Sequence, residues 1–524
     1  MNLLCILIVS VAFGQIGDFT PQDRAIFEDA SANFNKTNYY KALQLFRSLY
    51  KTHPDDLTII LQTNACYFKL PDLLDKAQPL LIKAQSIASS NPEVIFQLGY
   101  FDYLNENFKG ASNYFEKYLS VAPMGNEAAW VKTLLIETRL GLKWQDLGNK
   151  GRITNLGSPP NSEFEEKQGM LSKLSKQLFF TYKGDGCKGN LLDLNLNPSE
   201  NGDFNEDIYY CEWLEGGWSK PNNIGTPINT EEQEFLDWVS PKGDAIVFER
   251  HGVNSGNVLL ITHKINGKWE NPIPIGPAVQ PSYWIGQAWL NTNMDTLFFS
   301  ANLPEGKGGK DIYISSKSKD GTWSSPINIG QPINGPGDET SPFLNIGEDT
   351  LYFGSNGGEG LGLSDIYFST KNKSGWSNPQ NLGSPINSVQ NNEWIRPGFS
   401  GYEYLIDGCR KNGKGQSDLY FCRIQGPDLK TNATDIDYWL QVGAFRHPEN
   451  FKLPMALKSP LHLIKKTEGD GITRIAIAGL STLKAAEDLR DQLTKKGMQG
   501  LWITAYLNGK RLSITELKGF DKIK

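Results

Sequence analysis

Four glutamates recur at similar places in the middle of the chain. Glu166, Glu234 and Glu339 follow Asn161, Asn229 and Asn334 by five residues, and Glu393 follows Asn387 by six. A ring of carboxylates at one mouth of a closed β structure would hold a cation or a basic partner. The plainer reading is that each acid accepts hydrogen bonds from turn amides. A second set of residues lies near the C-terminus: Gln441, Phe445, Arg474, Trp502 and Tyr506. Aromatic rings stack on the CH faces of sugars, while Gln and Arg bond sugar hydroxyls, so this set suits a glycan. Short catalytic motifs are missing: there is no Gly-x-Ser-x-Gly, no His-Glu-x-x-His and no defensible Ser/His/Asp set. The five histidines (53, 251, 263, 447, 462) are scattered, without Cys-x2-Cys or His-x3-His, so no metal or cofactor is expected. Gly357-Gly-Glu-Gly-Leu-Gly362 has the look of a phosphate loop but lies between two strand patterns, with no helix N-terminus to receive an anion. It reads as a hairpin loop, and on these grounds no enzymatic activity is expected.

Length and charge bound what could carry these residues. At roughly 150 residues per domain, 524 residues suggest about three domains. With 39% hydrophobic and 21% charged residues, a packed core is expected rather than disorder. The net charge of −6 argues against general nucleic-acid binding. Residues 3–13 form an apolar run too short to span a bilayer. Ala12 and Gly14 stand at −3 and −1 before Gln15, so 1–15 reads as a signal peptide. The remainder is expected not to span a membrane.

Between 20 and 145 the apolar period is helical and repeats. Ala42, Ala77 and Ala111 lie 35 and 34 residues apart, as do Phe46, Leu81 and Phe115, with prolines at 54, 92 and 123. This resembles the tetratricopeptide repeat, with a period of about 34. The resemblance implies paired helices and a concave surface for protein partners; packing against the next domain is the alternative. A fourth helix pair is expected near Asn126.

From 151 to 425 Gly, Pro, Asn and Trp rise. A turn motif recurs from Asn155, Asn223, Pro274, Asn328 and Asn381, as in Asn381-Leu-Gly-Ser-Pro-Ile-Asn387. Asp-Ile-Tyr-type strands begin at Asp207, Asn257, Asp311, Asp365 and Asp418, and Trp218, Trp269, Trp323 and Trp376 follow the first four. Units of about 53 residues with four short strands predict a five-bladed β-propeller. They resemble the WD-like repeats of TolB-type envelope proteins. Residues 152–157 form an outer strand with no unit before it, and 418–424 a third strand with no Trp strand after it. The first is expected to close the ring on the second. Cys187–Cys211 and Cys409–Cys422 are expected as disulfides between second and third strands, with Cys66 a buried thiol.

After a linker at 426–437 the charge reverses: 438–524 holds 15 Lys/Arg against 8 Asp/Glu, a net +7, leaving −13 elsewhere. Strands are expected at 438–445, 472–478 and 501–507, with helices near 448–457 and over 482–496. Gln441-Val-Gly-Ala-Phe445, Arg474-Ile-Ala-Ile-Ala-Gly479 and Ala505-Tyr-Leu-Asn-Gly-Lys-Arg511 resemble the SPOR domain; Gly479-Leu-Ser481 departs from its usual Gly-Pro-Phe. The resemblance implies an α+β sheet domain that binds peptidoglycan glycan stripped of stem peptides. Alternation places Leu440, Val442 and Ala444 toward the helices and Trp439, Gln441, Phe445, Arg474, Trp502, Thr504 and Tyr506 on the open face. Anionic polymers or lipid headgroups are the alternative partner for the positive charge.

The whole reads as a multidomain protein: an α-solenoid of tetratricopeptide type, a five-bladed propeller and a small α+β SPOR-like domain. It resembles periplasmic, cell-wall-associated proteins of Bacteroidetes-type bacteria, some of which serve type IX secretion and gliding; that link is analogy. The expected function is a non-enzymatic scaffold that binds denuded peptidoglycan and, through repeats and propeller, other envelope proteins. A glycan-active propeller enzyme and a propeller ligand sensor are the alternatives.

Overall fold

A computed structural model describes residues 19–146, 151–192, 203–214, 217–252, 256–277, 283–291, 293–345, 347–373, 375–398, 403–411, 413–424, 437–445, 463–467, 472–480, 483–495, 498–507 and 510–511. The signal peptide expected at 1–15, nearly all of the linker and the helix expected near 448–457 lie outside these residues. Among the described residues, no helix is long and apolar enough to cross a membrane.

Seven α-helices build the N-terminal region: α1 Pro21–Asn35, α2 Tyr39–Thr52, α3 Leu57–Phe68, α4 Ala77–Ala88, α5 Pro92–Leu104, α6 Phe108–Val121 and α7 Ala128–Asp146. Their starts are written locally. Thr20 and Asp23 form a capping box on α1, the Asp56 carboxylate accepts from the Ile59 amide, and Asn91 accepts from Glu93. The repeating positions do what their sizes suggest. Ala42, Ala77 and Ala111 are fully buried, and Phe46, Leu81 and Phe115 fill the layers between pairs. At Gly99 a side chain would meet the Phe115 ring at 2.8 Å, so α5 and α6 approach as closely as glycine allows.

The array does not stand alone. Leu361 and Val389, from loops of the β domain, are buried in the helical core. The Tyr103 hydroxyl donates to the Leu361 carbonyl and to Glu137, and Trp144 lies against Gly383. Packing on the next domain is thus a role of the repeats, whether or not they also take a partner.

Five antiparallel sheets follow, and their inner strands neighbour one another in a ring: Glu165–Ser172, Gln233–Val239, Ile285–Leu290, Glu339–Leu344 and Ile395–Pro397, the last returning to the first. In the fourth sheet the order runs Glu339–Leu344, Thr350–Ser355, Asp365–Asn372, then an outer edge of two pieces, Gly375–Trp376 and Gln380–Asn381. Pro379, which has no N–H to give the ladder, separates the pieces. Gly151–Asn155 pairs antiparallel with Asp418–Ile424, from Gly151 opposite Ile424 to Asn155 opposite Tyr420. The first β segment therefore completes the last sheet of the ring.

The recurring turn motif is a clip. Asn161, Asn229, Asn334 and Asn387 each use the side-chain amide as one rung of a ladder. Each accepts from and donates to a single third-strand residue: Leu419, Ile208, Ile312 and Ile366, at 2.8–2.9 Å. The motif's first Asn accepts from the last and donates to the Asp that opens the third strand, as Asn381 does with Asn387 and Asp365. The glycine between them sits at φ +69° to +79° in all four.

The disulfides expected at Cys187–Cys211 and Cys409–Cys422 do not form; all four are free thiols, as is Cys66. The pleat explains why. Antiparallel pairing puts Gly408 opposite Asp418 and Tyr404 opposite Cys422. Cys409 follows Gly408, whereas Cys422 lies four residues down the partner strand, roughly 13 Å away at about 3.3 Å per residue. That exceeds the Cα reach of a disulfide, about 7 Å. Cys187 contacts the Tyr182 carbonyl at the same end of the first sheet, and Cys211 pairs with Leu178 well below.

The C-terminal sheet has strand order Leu463–Thr467, Thr473–Leu480, Asp437–Phe445, Trp502–Leu507, Lys510–Arg511, and its one described helix is α8, Leu483–Lys495. The four longer strands thus take the order 2-3-1-4, the antiparallel arrangement of a split βαβ. Leu440, Ile477 and Leu493 of α8 are its buried centre.

Candidate functional site

The four recurring glutamates do not form a cation ring. Glu166 accepts from the Ser162 amide and hydroxyl, Glu234 from those of Thr230 and from Arg250 Nε, and Glu339 from the Gly335 amide and Ser355 Oγ. They are buried turn locks, and burial pushes Glu166 and Glu234 up to about 7. In the fifth sheet the lock is Asn392, which accepts from the Ser388 amide and hydroxyl; Glu393 is not part of it. The 357–362 segment is a loop between antiparallel strands, as expected.

The ring's axis holds a different set, and the sequence reading missed it. Four inner strands carry a bulge midway. Bulges free amides that need acceptors. Asp407 reaches from the fifth sheet to accept from Gln168 N at 2.5 Å, and Glu249 from the second to accept from Gln287 N at 2.7 Å. Glu249 is also 2.7 Å from His251 Nε2. It passes where a Gly286 side chain would stand. Asp237 occupies the bulge of the second inner strand, and Arg396 lies on the fifth. The Arg396 guanidinium stacks 3.5 Å from Trp394 and donates from Nη1 to the Ser341 and Ile395 carbonyls. Both Asp237 oxygens, Arg396 Nε and Nη2 and Gln287 Oε1 are buried without a well-formed hydrogen bond. Burial pushes Asp407 up to about 7, holds Asp237 well above the usual carboxylate range, and lowers Arg396 to about 9. Nearer one end, Lys167 bridges Glu165 (3.2 Å) and Glu206 (3.5 Å) and stands over the Phe235 ring. Glu249 and Asp407 stand at the same place in their units, after the second strand's apolar triplet, but the other units carry Thr181, Ser300 and Gly354 there, so no uniform repeat announced them.

In the C-terminal sheet, Gln441 lies opposite Ala476 on one side and Trp502 on the other. Trp502 is 69% exposed, and Leu440 on the other face is fully buried. Arg474, two residues from Ala476, shares the Gln441 face, and its Nη1 donates to the Ile472 carbonyl. Trp439 and Thr504 lie on that face too but are buried, and Thr504 Oγ1 donates to the Trp439 carbonyl. A bulge at Val442 shifts the register, so Ala444, not Phe445, lies opposite Arg474; Phe445 lies opposite Thr473. Tyr506 pairs with Asp437, in an unbroken ladder four residues on from Trp502.

No family model and no curated protein match this chain. Solved structures do. The helical region is similar to the Sgt2 TPR domain from Aspergillus fumigatus, at 20% identity over 25% of this chain and 84% of that one, TM-score 0.23. The β domain is similar to Penicillium chrysogenum alpha-L-arabinanase, at 10% identity over 51% of this chain and 95% of that one, TM-score 0.32. It is also similar to the alpha-L-arabinofuranosidase PaAbf62A from Podospora anserina, at 10% identity, 52% and 95% coverage, TM-score 0.31. A TPR-like helical region and a β domain resembling propeller enzymes are thus the fold. The expectation that the chain has no enzymatic activity is corrected by this finding, since over half of it is similar to glycoside hydrolases. Missing short motifs do not exclude such an activity. Glycoside hydrolysis needs a pair of placed carboxyl groups, which no short motif encodes.

Proposed function

We propose that this chain is a glycan-directed protein of the bacterial cell envelope. Its C-terminal domain, read as SPOR-like, holds peptidoglycan strands stripped of stem peptides, with Gln441 and Arg474 bonding hydroxyls and Trp502 and Tyr506 stacking. The helical repeats hold envelope proteins, and the ring is read as a propeller of five blades. Residues 1–15 direct the chain to the periplasm. The observation that carries the reading is Trp502: a large indole, 69% exposed beside Gln441 on the sheet face opposite α8. A sugar ring can stack its CH face on this indole while Gln441 bonds a hydroxyl. The test is co-sedimentation of the full chain with denuded peptidoglycan. Gln441→Ala with Trp502→Ala should abolish retention at moderate salt while leaving the melting temperature unchanged. Equal retention of parent and variant refutes the reading.

A second reading, glycan cleavage at the ring's axis, is favoured by the axial acids. Asp407, held near a pKa of about 7 by burial, suits a proton donor. Glu249, bonded by His251 and the Gln287 amide, suits its carboxylate counterpart. Reducing ends released from arabinan or peptidoglycan by the parent, and lost in Asp407→Asn, would support it. No release from either polymer would refute it for those substrates.

A further inference from the structure

A cleft of about 510 Å³ opens between α7 and the fourth β sheet, within the range of small-ligand sites and at a domain junction, where such sites concentrate. Its helical wall carries Leu140, Lys143 and Trp144, which the α-helical period sets on one side of the last turns of α7. Its opposite wall and floor come from Glu339, Tyr367 and the glycine turns at Gly335 and Gly357. The two walls are held together by the Tyr103–Leu361 contact, so the cleft is preformed.

The polar inventory selects the occupant. Glu339 is buried and spends one oxygen on the Gly335 amide and the other on Ser355 Oγ. Tyr367 is buried too and gives its hydroxyl proton to the Glu359 carbonyl. The glycine amides that an extended peptide would pair with are already used: Gly335 N by Glu339 and Gly357 N by Ser355. What remains open to the cleft is the exposed Glu359 as acceptor, the Lys143 ammonium as donor and an indole with its other side against Gly383. A neutral ligand rich in hydroxyl donors, with an apolar face for the ring, satisfies all of these.

We propose that the cleft between α7 and the fourth sheet is a second saccharide site, separate from the C-terminal sheet, with Trp144 as stacking platform, Glu359 as hydroxyl acceptor and Lys143 as hydroxyl-oxygen donor. This rests on the glycan-directed reading but uses none of its residues. The test is calorimetric titration of the full chain with chitotetraose, in a Gln441→Ala, Trp502→Ala background that removes the sheet site. Binding should persist in that background, weaken at least about tenfold on adding Trp144→Ala, and stay within about threefold for Trp144→Phe. Hydrogen exchange gives a check without mutation: chitotetraose should slow exchange at 140–146 and 355–359. If the background chain no longer binds while the parent does, the cleft proposal falls and the sheet reading stands. If binding survives the background but ignores Trp144→Ala and protects neither segment, the cleft proposal falls as well. If the background binds as tightly as the parent and Trp144→Ala abolishes binding, the cleft stands and the sheet reading falls.

Discussion

Replacing Asn387 by alanine should loosen the outer edge of the fourth sheet by an amount the geometry sets. The Asn387 side chain is fully buried. It accepts from Ile366 N and donates to Ile366 O, both at 2.8 Å, and donates to Asn381 Oδ1 at 2.7 Å. Each such bond contributes about 1 kcal/mol net, and a buried backbone group left unpaired costs about 1–3 kcal/mol. The loss is therefore about 3–5 kcal/mol: the orphaned Ile366 amide carries about 1–3 of it and the two other lost bonds about 1 each, while the Ile366 carbonyl keeps the Leu382 amide at 3.0 Å. Asn387→Asp keeps the acceptor but sets a carboxylate against the Ile366 carbonyl, so it should be no milder at neutral pH. Because several domains unfold here, a single melting curve is a poor reporter, and amide exchange at Ile366 is the sharper one. At about 1.4 kcal/mol per decade, protection should fall by roughly two to three decades. A fall of less than threefold would refute the claim that the motif is a structural clip and reopen the case for it as a ligand contact.

Other outcomes follow from the same geometry. Glu137 and Asp365, facing each other across the junction of the helical region and the β domain, are pushed by burial up to about 7 and about 6. Raised carboxyl values mean the proton stabilises the docked state, so docking should be firmest below about pH 4 and weaken as pH rises to about 7. Glu137→Gln should flatten that dependence in a proteolysis series across the junction. Gly99→Val would drive a side chain into the Phe115 ring, 2.8 Å away as placed, and should destabilise the helical array by about 1–3 kcal/mol in urea titration. All five cysteines after residue 15 should alkylate once the chain is denatured without reductant. Peptide maps joining 187 to 211 would overturn the register described for the first sheet.

What the sequence made legible was whatever repeats. The Ala42–Ala77–Ala111 series yielded the helix pairs, because a small residue every 34 or 35 positions has one physical use, the close approach of two helices. The Asn clips yielded the sheets and their closure, because four copies of one hydrogen-bond solution leave four copies of one motif. The cysteine pairing failed at the next level of detail. Adjacent strands were recognised, but which residues stand opposite depends on register, and a four-residue slip along a strand is roughly 13 Å. The register past Val442 escaped for a related reason, since alternation assumes an unbroken pleat and the bulge there breaks it. The axial residues escaped altogether. Asp237 and Glu249 come from the second sheet and Arg396 and Asp407 from the fifth; only Glu249 and Asp407 share a role, each accepting a bulge amide of the next sheet, so nothing in their spacing marks the four as a group. A repeat fold uses its symmetry to build the ring and departs from it where the ring's centre must do something particular. The residues that break the pattern, rather than those that keep it, are where a chemical role for this β domain is to be sought.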